Sequence, residues 1–157
     1  MNEVQDRVDG QLGSIPQQKW EAELDRRRIA HSPTRGSASG FRNFTNEYDK
    51  IHGDTIMIHQ GRVMRIDVKG RFVTRESILS FRGEYYVIYD SSNESAKEAY
   101  VISPGVLRDI TKNWPLDYWE LSAHKNKGRK EPGISFSRLS PIIDQGMGMK
   151  LGEFLNL

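Results

Sequence analysis

The stretch GDTIMIHQGRVMRIDVKG, residues 53–70, places two aspartates and a lysine among residues that otherwise read as apolar strands. Asp54 opens the first apolar run, and Asp67 and Lys69 interrupt the second. Two carboxylates held close together repel, so a fold gains nothing from the pair alone. A divalent cation between them turns that cost into a binding site, and an all-oxygen donor set suits Mg2+ or Mn2+ rather than Zn2+. A metal held there can polarise a phosphoryl oxygen and generate hydroxide near neutral pH. Lys69 beside it can orient or deprotonate the attacking water, or stabilise the charge of a pentacovalent phosphorane.

Whether the three groups meet depends on the element that carries them. Gln60-Gly61 predicts a two-residue hairpin turn between strands over 54–59 and 62–69. His59 then faces Arg62, Met57 faces Met64 and Asp54 faces Asp67. Opposed residues share a sheet face with Cβ atoms about 4.5–5.5 Å apart. Lys69, two residues beyond Asp67, projects from that same face, whereas Met64, Ile66 and Val68 point to the core. The competing reading is a solvated hairpin whose Asp67 and Lys69 form a surface salt bridge. An acid-x-Lys triplet alone is a short motif; the opposed Asp54 is what favours the metal site.

Around the hairpin, Ser14, Pro16 and Gln17 read as a helix start, with Ser14 and Gln17 completing a capping box. The helix runs through QQKWEAELDRRRIA with Trp20 and Leu24 on one face, and His31-Ser32-Pro33 ends it. SPTRGSASG reads as a loop, and FRNFTNEYDKIHG leads into the hairpin. A polar stretch around TRES follows. EYYVIYD (84–90) and AYVIS (99–103) are strands separated by a turn at SSNES. PGVLRDITKN reads as a short helix with Pro104 in its first turn and Val106, Leu107 and Ile110 facing inward. YWELSA (118–123) reads as a last central strand, and the remainder is basic, then Gly-rich. This order predicts an α/β fold with a mixed central β-sheet flanked by helices.

A chain of 157 residues predicts a single domain over 14–157 behind a polar arm at 1–13. The apolar fraction of 36% and charged fraction of 28% fit a soluble globular protein, and no run is long enough to span a membrane. MNEVQDRVDG has no apolar signal-peptide core, and the absence of cysteine excludes disulfides, thiolate metal sites and thiol nucleophiles. An intracellular location, the cytoplasm or nucleoid, is the simplest reading. Net charge is +2, but the basic residues cluster. Arg62, Arg65, Lys69, Arg71 and Arg75 stand against Asp67 alone, and Lys125, Lys127, Arg129, Lys130 and Arg138 against Glu131. Such patches can follow a polyphosphate backbone, or be solvated loops.

Asp54, inside GDTIMI, and Asp67-Val68-Lys69, inside RIDVKG, resemble the signature of the PD-(D/E)XK nuclease superfamily. That signature is an aspartate at the start of one strand and an acid-x-Lys on the adjoining antiparallel strand. The resemblance spans roughly residues 14 to 70 and implies a restriction-endonuclease-like core. It also implies a Mg2+-dependent endonuclease, with Mn2+ as a substitute, that leaves a 5′-phosphate. An acid on the preceding helix often completes the metal site. KWEAEL offers Glu21, closer to the family position, and Glu23, which is also an i,i+4 partner for Arg27. The order helix Glu, Ser/Gly loop (RGSASG, 35–40), Asp, acid-x-Lys is similar to archaeal-type Holliday-junction resolvases. Small restriction and homing endonucleases share the same core.

The chain departs from the pattern at Gly53, where proline is common. On the resemblance, Arg71, Lys125, Lys127, Arg129 and Lys130 become DNA contacts, duplex or branched, and cutting both strands calls for a homodimer or higher oligomer. Trp114, Tyr118 and Trp119 read as base-stacking, core or interface residues, and His31 and His52 as structural or, for His52, metal-favouring. A module of the same fold that binds nucleic acid without cutting it is the alternative from another class.

Overall fold

A computed structural model describes residues 15–34, 51–90, 99–123 and 130–157. The predicted arm at 1–13, the Ser14 cap, the RGSASG loop, the SSNES turn and Lys125, Lys127 and Arg129 lie outside the described residues.

The first described element is α1 (Ile15–Arg26), which buries Pro16, Trp20 and Leu24 on one side. It stops earlier than predicted. Arg28 takes a φ of 57°, and the Ile29 N–H donates to the Leu24 carbonyl, a left-handed closure of the helix C-terminus. His31–Pro33, read as the end of the helix, is instead a short edge strand, β1, paired antiparallel with β2 (Thr55–His59). The predicted hairpin is present. β2 joins β3 (Arg62–Gly70) through Gln60 and Gly61, whose φ values of 53° and 75° are those a type I′ turn requires. His59 pairs with Arg62, Met57 with Met64 and Thr55 with Ile66, the register expected.

After β3 the backbone turns at Arg71 (φ 57°) into β4 (Phe72–Thr74). Arg71 is pinned there, donating its N–H to the Tyr89 carbonyl while its own carbonyl accepts from the Phe136 N–H. The polar TRES stretch opens a helix. Thr74 caps a short helix, α2 (Arg75–Ser80), by accepting from the Ser77 N–H. β5 (Tyr85–Tyr89) then lies parallel to β3, and β6 (Ala99–Ile102) antiparallel to β5. Ser103 caps α3 (Pro104–Thr111), which buries Leu107 and leaves Val106 and Ile110 partly covered.

The predicted last central strand is a correction. β7 (Glu120–Ala123) does not join the central sheet; with β4 and β8 (Lys130–Ser135) it forms a separate three-stranded sheet, order β4-β8-β7. The C-terminal region read as basic and Gly-rich carries β8, α4 (Phe136–Asp144), β9 (Met149–Lys150) and α5 (Leu151–Leu155). The central sheet is six-stranded, order β1-β2-β3-β5-β6-β9, and mixed.

Each face of this sheet has its own core. Met57, Met64, Ile66, Val68, Val87, Tyr89, Ala99 and Val101 meet Trp20 and Leu24 of α1 and Leu151, Phe154 and Leu155 of α5. Tyr86, Ile88, Tyr100 and Ile102 point the other way, onto α2, α3, α4 and the small sheet. Strands buried on both faces read as the continuous apolar runs YYVIY and AYVI. The fold is α/β, a mixed central sheet flanked by helices. Among the described residues no helix is long and apolar enough to cross a membrane.

Candidate metal and phosphoryl-transfer site

The pleat of β3 sends Met64, Ile66 and Val68 into the α1 side of the sheet, so Asp67 and Lys69 face the other side. Asp54 stands one residue before β2 and outside its ladder, which ends at Thr55 and Ile66; its N–H donates to the Ile66 carbonyl at 2.8 Å, one residue off the predicted pairing with Asp67. Its side chain turns back over β3, and Oδ2 accepts from the Val68 N–H at 2.9 Å. The Asp54 and Asp67 side chains lie close enough for the charge of Asp67 to act on the Asp54 carboxyl. Lys69 Nζ lies 3.1 Å from Asp67 Oδ2. Asp67 and Lys69 are in contact, and Asp54 joins them by turning its side chain over β3 rather than by the predicted cross-strand pairing.

Burial decides what the cluster is. Asp67 is 4% exposed, which rules out a solvated surface salt bridge, whereas the Lys69 side chain keeps 32% of its surface open to solvent. Burial raises the Asp54 carboxyl well above the usual carboxylate range, and the nearby Asp67 carboxylate adds to this, against Lys69 and the Val68 N–H. Burial works to lower the Lys69 pKa, but Asp67 and Asp54 outweigh it and hold the ammonium above its ordinary value. On the neighbouring strand Tyr86 pairs in register with Asp67. Its hydroxyl is 2.7 Å from Ser77 Oγ, and burial, with the nearby Asp67 charge, keeps the phenol neutral beyond its usual range.

Gly53 explains the departure from proline. It sits at φ +79°, closed to a proline ring, and a Cβ there would lie 2.6 Å from the Ile66 carbonyl oxygen and 2.9 Å from Phe81 Cε1. The glycine lets the chain press against β3 where Asp54 must turn over it.

Glu21 is placed differently. It lies on α1, whose buried face packs on the opposite side of the sheet, and accepts from Gln17 Nε2, which also donates to Thr55 Oγ1. Glu23 is held by Arg26 at 2.5 Å and Arg27 at 2.7 Å, the structural role expected of it with Arg26 added. Among the described residues no three His, Cys, Asp or Glu side chains gather as a metal-ion donor set. The donors that fit a hard cation are the Asp54 and Asp67 carboxylates, and backbone oxygens and water would complete a Mg2+ or Mn2+ shell.

Arg71 is exposed two residues beyond Lys69, and Lys130 is exposed at the start of β8. His31 pairs with Asp25 at 2.7 Å, and His52 is half-buried two residues before Asp54. Trp119 is core, at 6% exposure, and packs edge-on against Trp114, which also meets Tyr118. The guanidinium of Arg138 lies 4.1 Å from the Tyr118 ring centre and 4.9 Å from that of Trp114. Sequence reasoning missed Tyr86, Ser77 and Thr34. The first two meet the cluster only through a parallel pairing across a crossover, and nothing local in the sequence signals Thr34.

No protein-family model, curated protein or solved structure matches this chain.

Proposed function

We propose that this protein is a divalent-metal-dependent DNA endonuclease with a restriction-endonuclease-like core of the PD-(D/E)XK type. The observation that carries the reading is a buried Asp67 beside the Asp54 carboxyl and paired with a partly open Lys69. Two neighbouring carboxylates that repel in isolation suit a cation placed between them. Bound there, Mg2+ or Mn2+ would supply Lewis-acid polarisation of a phosphoryl oxygen and a lowered water pKa.

The chain's own groups do the rest. Asp54 and Asp67 would hold the cation on the sheet. Lys69, reachable from solvent and held as an ammonium, donates to the attacking water and to the charged phosphorane oxygens, which favours orientation and charge stabilisation over deprotonation. The water oxygen bonds to phosphorus as the P–O3′ bond breaks, leaving a 5′-phosphate and a 3′-hydroxyl. Arg71, beside the site, and Lys130 are the described candidates for phosphate contacts. Cutting both strands of a duplex takes two such sites and hence a homodimer or higher oligomer.

The test is Mg2+-dependent cleavage of plasmid, single-stranded and four-way-junction DNA. Wild type should cut and Asp67→Ala should not. Lys69→Ala should lose about 10²–10³-fold in kcat, the effect of removing a preorganised donor. Selective cutting of the junction assigns the protein to the resolvases. If wild type and both variants bind DNA equally and none cuts, the protein is a binding module.

A further inference from the structure

Asp54 lies outside β2, so the ladder alone does not set its direction. Its φ and ψ depend on the two peptide groups that flank its Cα. Both are gripped by one residue beyond the edge strand. Thr34, 1% exposed, donates from Oγ1 to the Gly53 carbonyl at 2.8 Å and from its N–H to the Asp54 carbonyl at 2.9 Å. From the other side the Asp54 N–H donates to the Ile66 carbonyl at 2.8 Å. The peptide preceding Asp54 is therefore held through its oxygen by Thr34 and through its nitrogen by β3. The peptide following it is held by the Thr34 backbone. With both planes fixed, the Cα–Cβ bond of Asp54 has one direction, toward Val68 N–H and Asp67.

We infer that Thr34 is a positioning residue whose hydroxyl aims the Asp54 carboxylate at Asp67. The inference rests on the metal-site reading above and assigns part of its precision to a side chain that touches neither metal nor substrate. A buried threonine that merely satisfied its own hydroxyl could use any acceptor. Here the hydroxyl and the N–H go to the two carbonyls that bracket Asp54. A carboxylate displaced by about 1 Å can lose on the order of 10²-fold in rate, and loss of an outer-shell partner costs about 10–100-fold in metal affinity or activity.

The experiment compares wild type, Thr34→Val and Thr34→Ser as full chains, with folding followed by circular dichroism. Mn2+ affinity is read by electron paramagnetic resonance and plasmid cleavage by kcat and KM. Thr34→Val keeps the shape and removes the donor; it should bind Mn2+ about 10–100-fold more weakly and lose kcat while KM for DNA holds. Thr34→Ser keeps the donor and should restore wild-type values. Wild-type Mn2+ binding in Thr34→Val, or equal impairment in Thr34→Ser, overturns the inference, as does a lowered melting temperature with affinity intact. If Thr34→Val does not fold, Thr34→Cys, a weak donor of similar size, replaces it and should be partly impaired; unimpaired Mn2+ binding there is equally fatal. Failure of wild type to bind Mn2+ is a different outcome, because it removes the metal reading itself.

Discussion

Asp54 is where the site costs the fold something. Its carboxyl is raised by burial and by Asp67, so the folded chain binds that proton more tightly than the unfolded chain does. The associated stability is fully present below about pH 4, the unfolded carboxylate value, and is lost as pH rises through the higher folded value. Metal-free protein should therefore melt at lower temperature as pH rises above the ordinary carboxylate range. Asp54→Asn should flatten that slope and raise the melting temperature at neutral pH in chelator, while abolishing stabilisation by Mg2+; an unchanged slope would show that Asp54 is not the group involved. Gly53 makes the complementary case. Gly53→Ala should cost about 1–3 kcal/mol by thermal denaturation, because φ +79° and the 2.6 Å approach to the Ile66 carbonyl both oppose a side chain. Gly53→Pro should be worse, since the ring fixes φ near −65°.

At the scale of elements, the hairpin decides the site. Its turn places Gln60 at φ 53°, a conformation Asn adopts more easily, so Gln60→Asn should stabilise the protein by about 0.5–2 kcal/mol with cleavage unchanged. Lower stability on denaturant titration would show that the turn is not of this type. The hairpin was legible because its determinants are local. Gln60-Gly61 sets the turn, the turn sets the register, and the register fixes which side chains share a face. Thr34 and Tyr86 were not legible, since the first meets Asp54 only by way of an edge strand and the second meets Asp67 only through a parallel pairing. YWELSA carried a true strand signal, but nothing in four residues says which sheet takes it. TRES and the C-terminal segment hid helices of a few residues whose stability comes from packing rather than propensity.

For the whole molecule, the central sheet separates two tasks. The α1–α5 side packs Trp20, Leu24 and Phe154 against β2, β3 and β5 as structural core. The other side carries Asp54, Asp67 and Lys69 beside Tyr86 and Ser77, with Arg71 exposed near the end of β3. Glu21 belongs to the structural side, so on the proposed reading a cation would rest on two carboxylates, backbone oxygens and water. Anomalous diffraction from crystals soaked in Mn2+ tests this most directly. One Mn2+ should lie within about 2.0–2.2 Å of a carboxylate oxygen from each of Asp54 and Asp67, with Lys69 Nζ outside its coordination shell, and should vanish in Asp67→Ala. Manganese bound elsewhere on the chain, or none between the two carboxyls at saturating Mn2+, would contradict it.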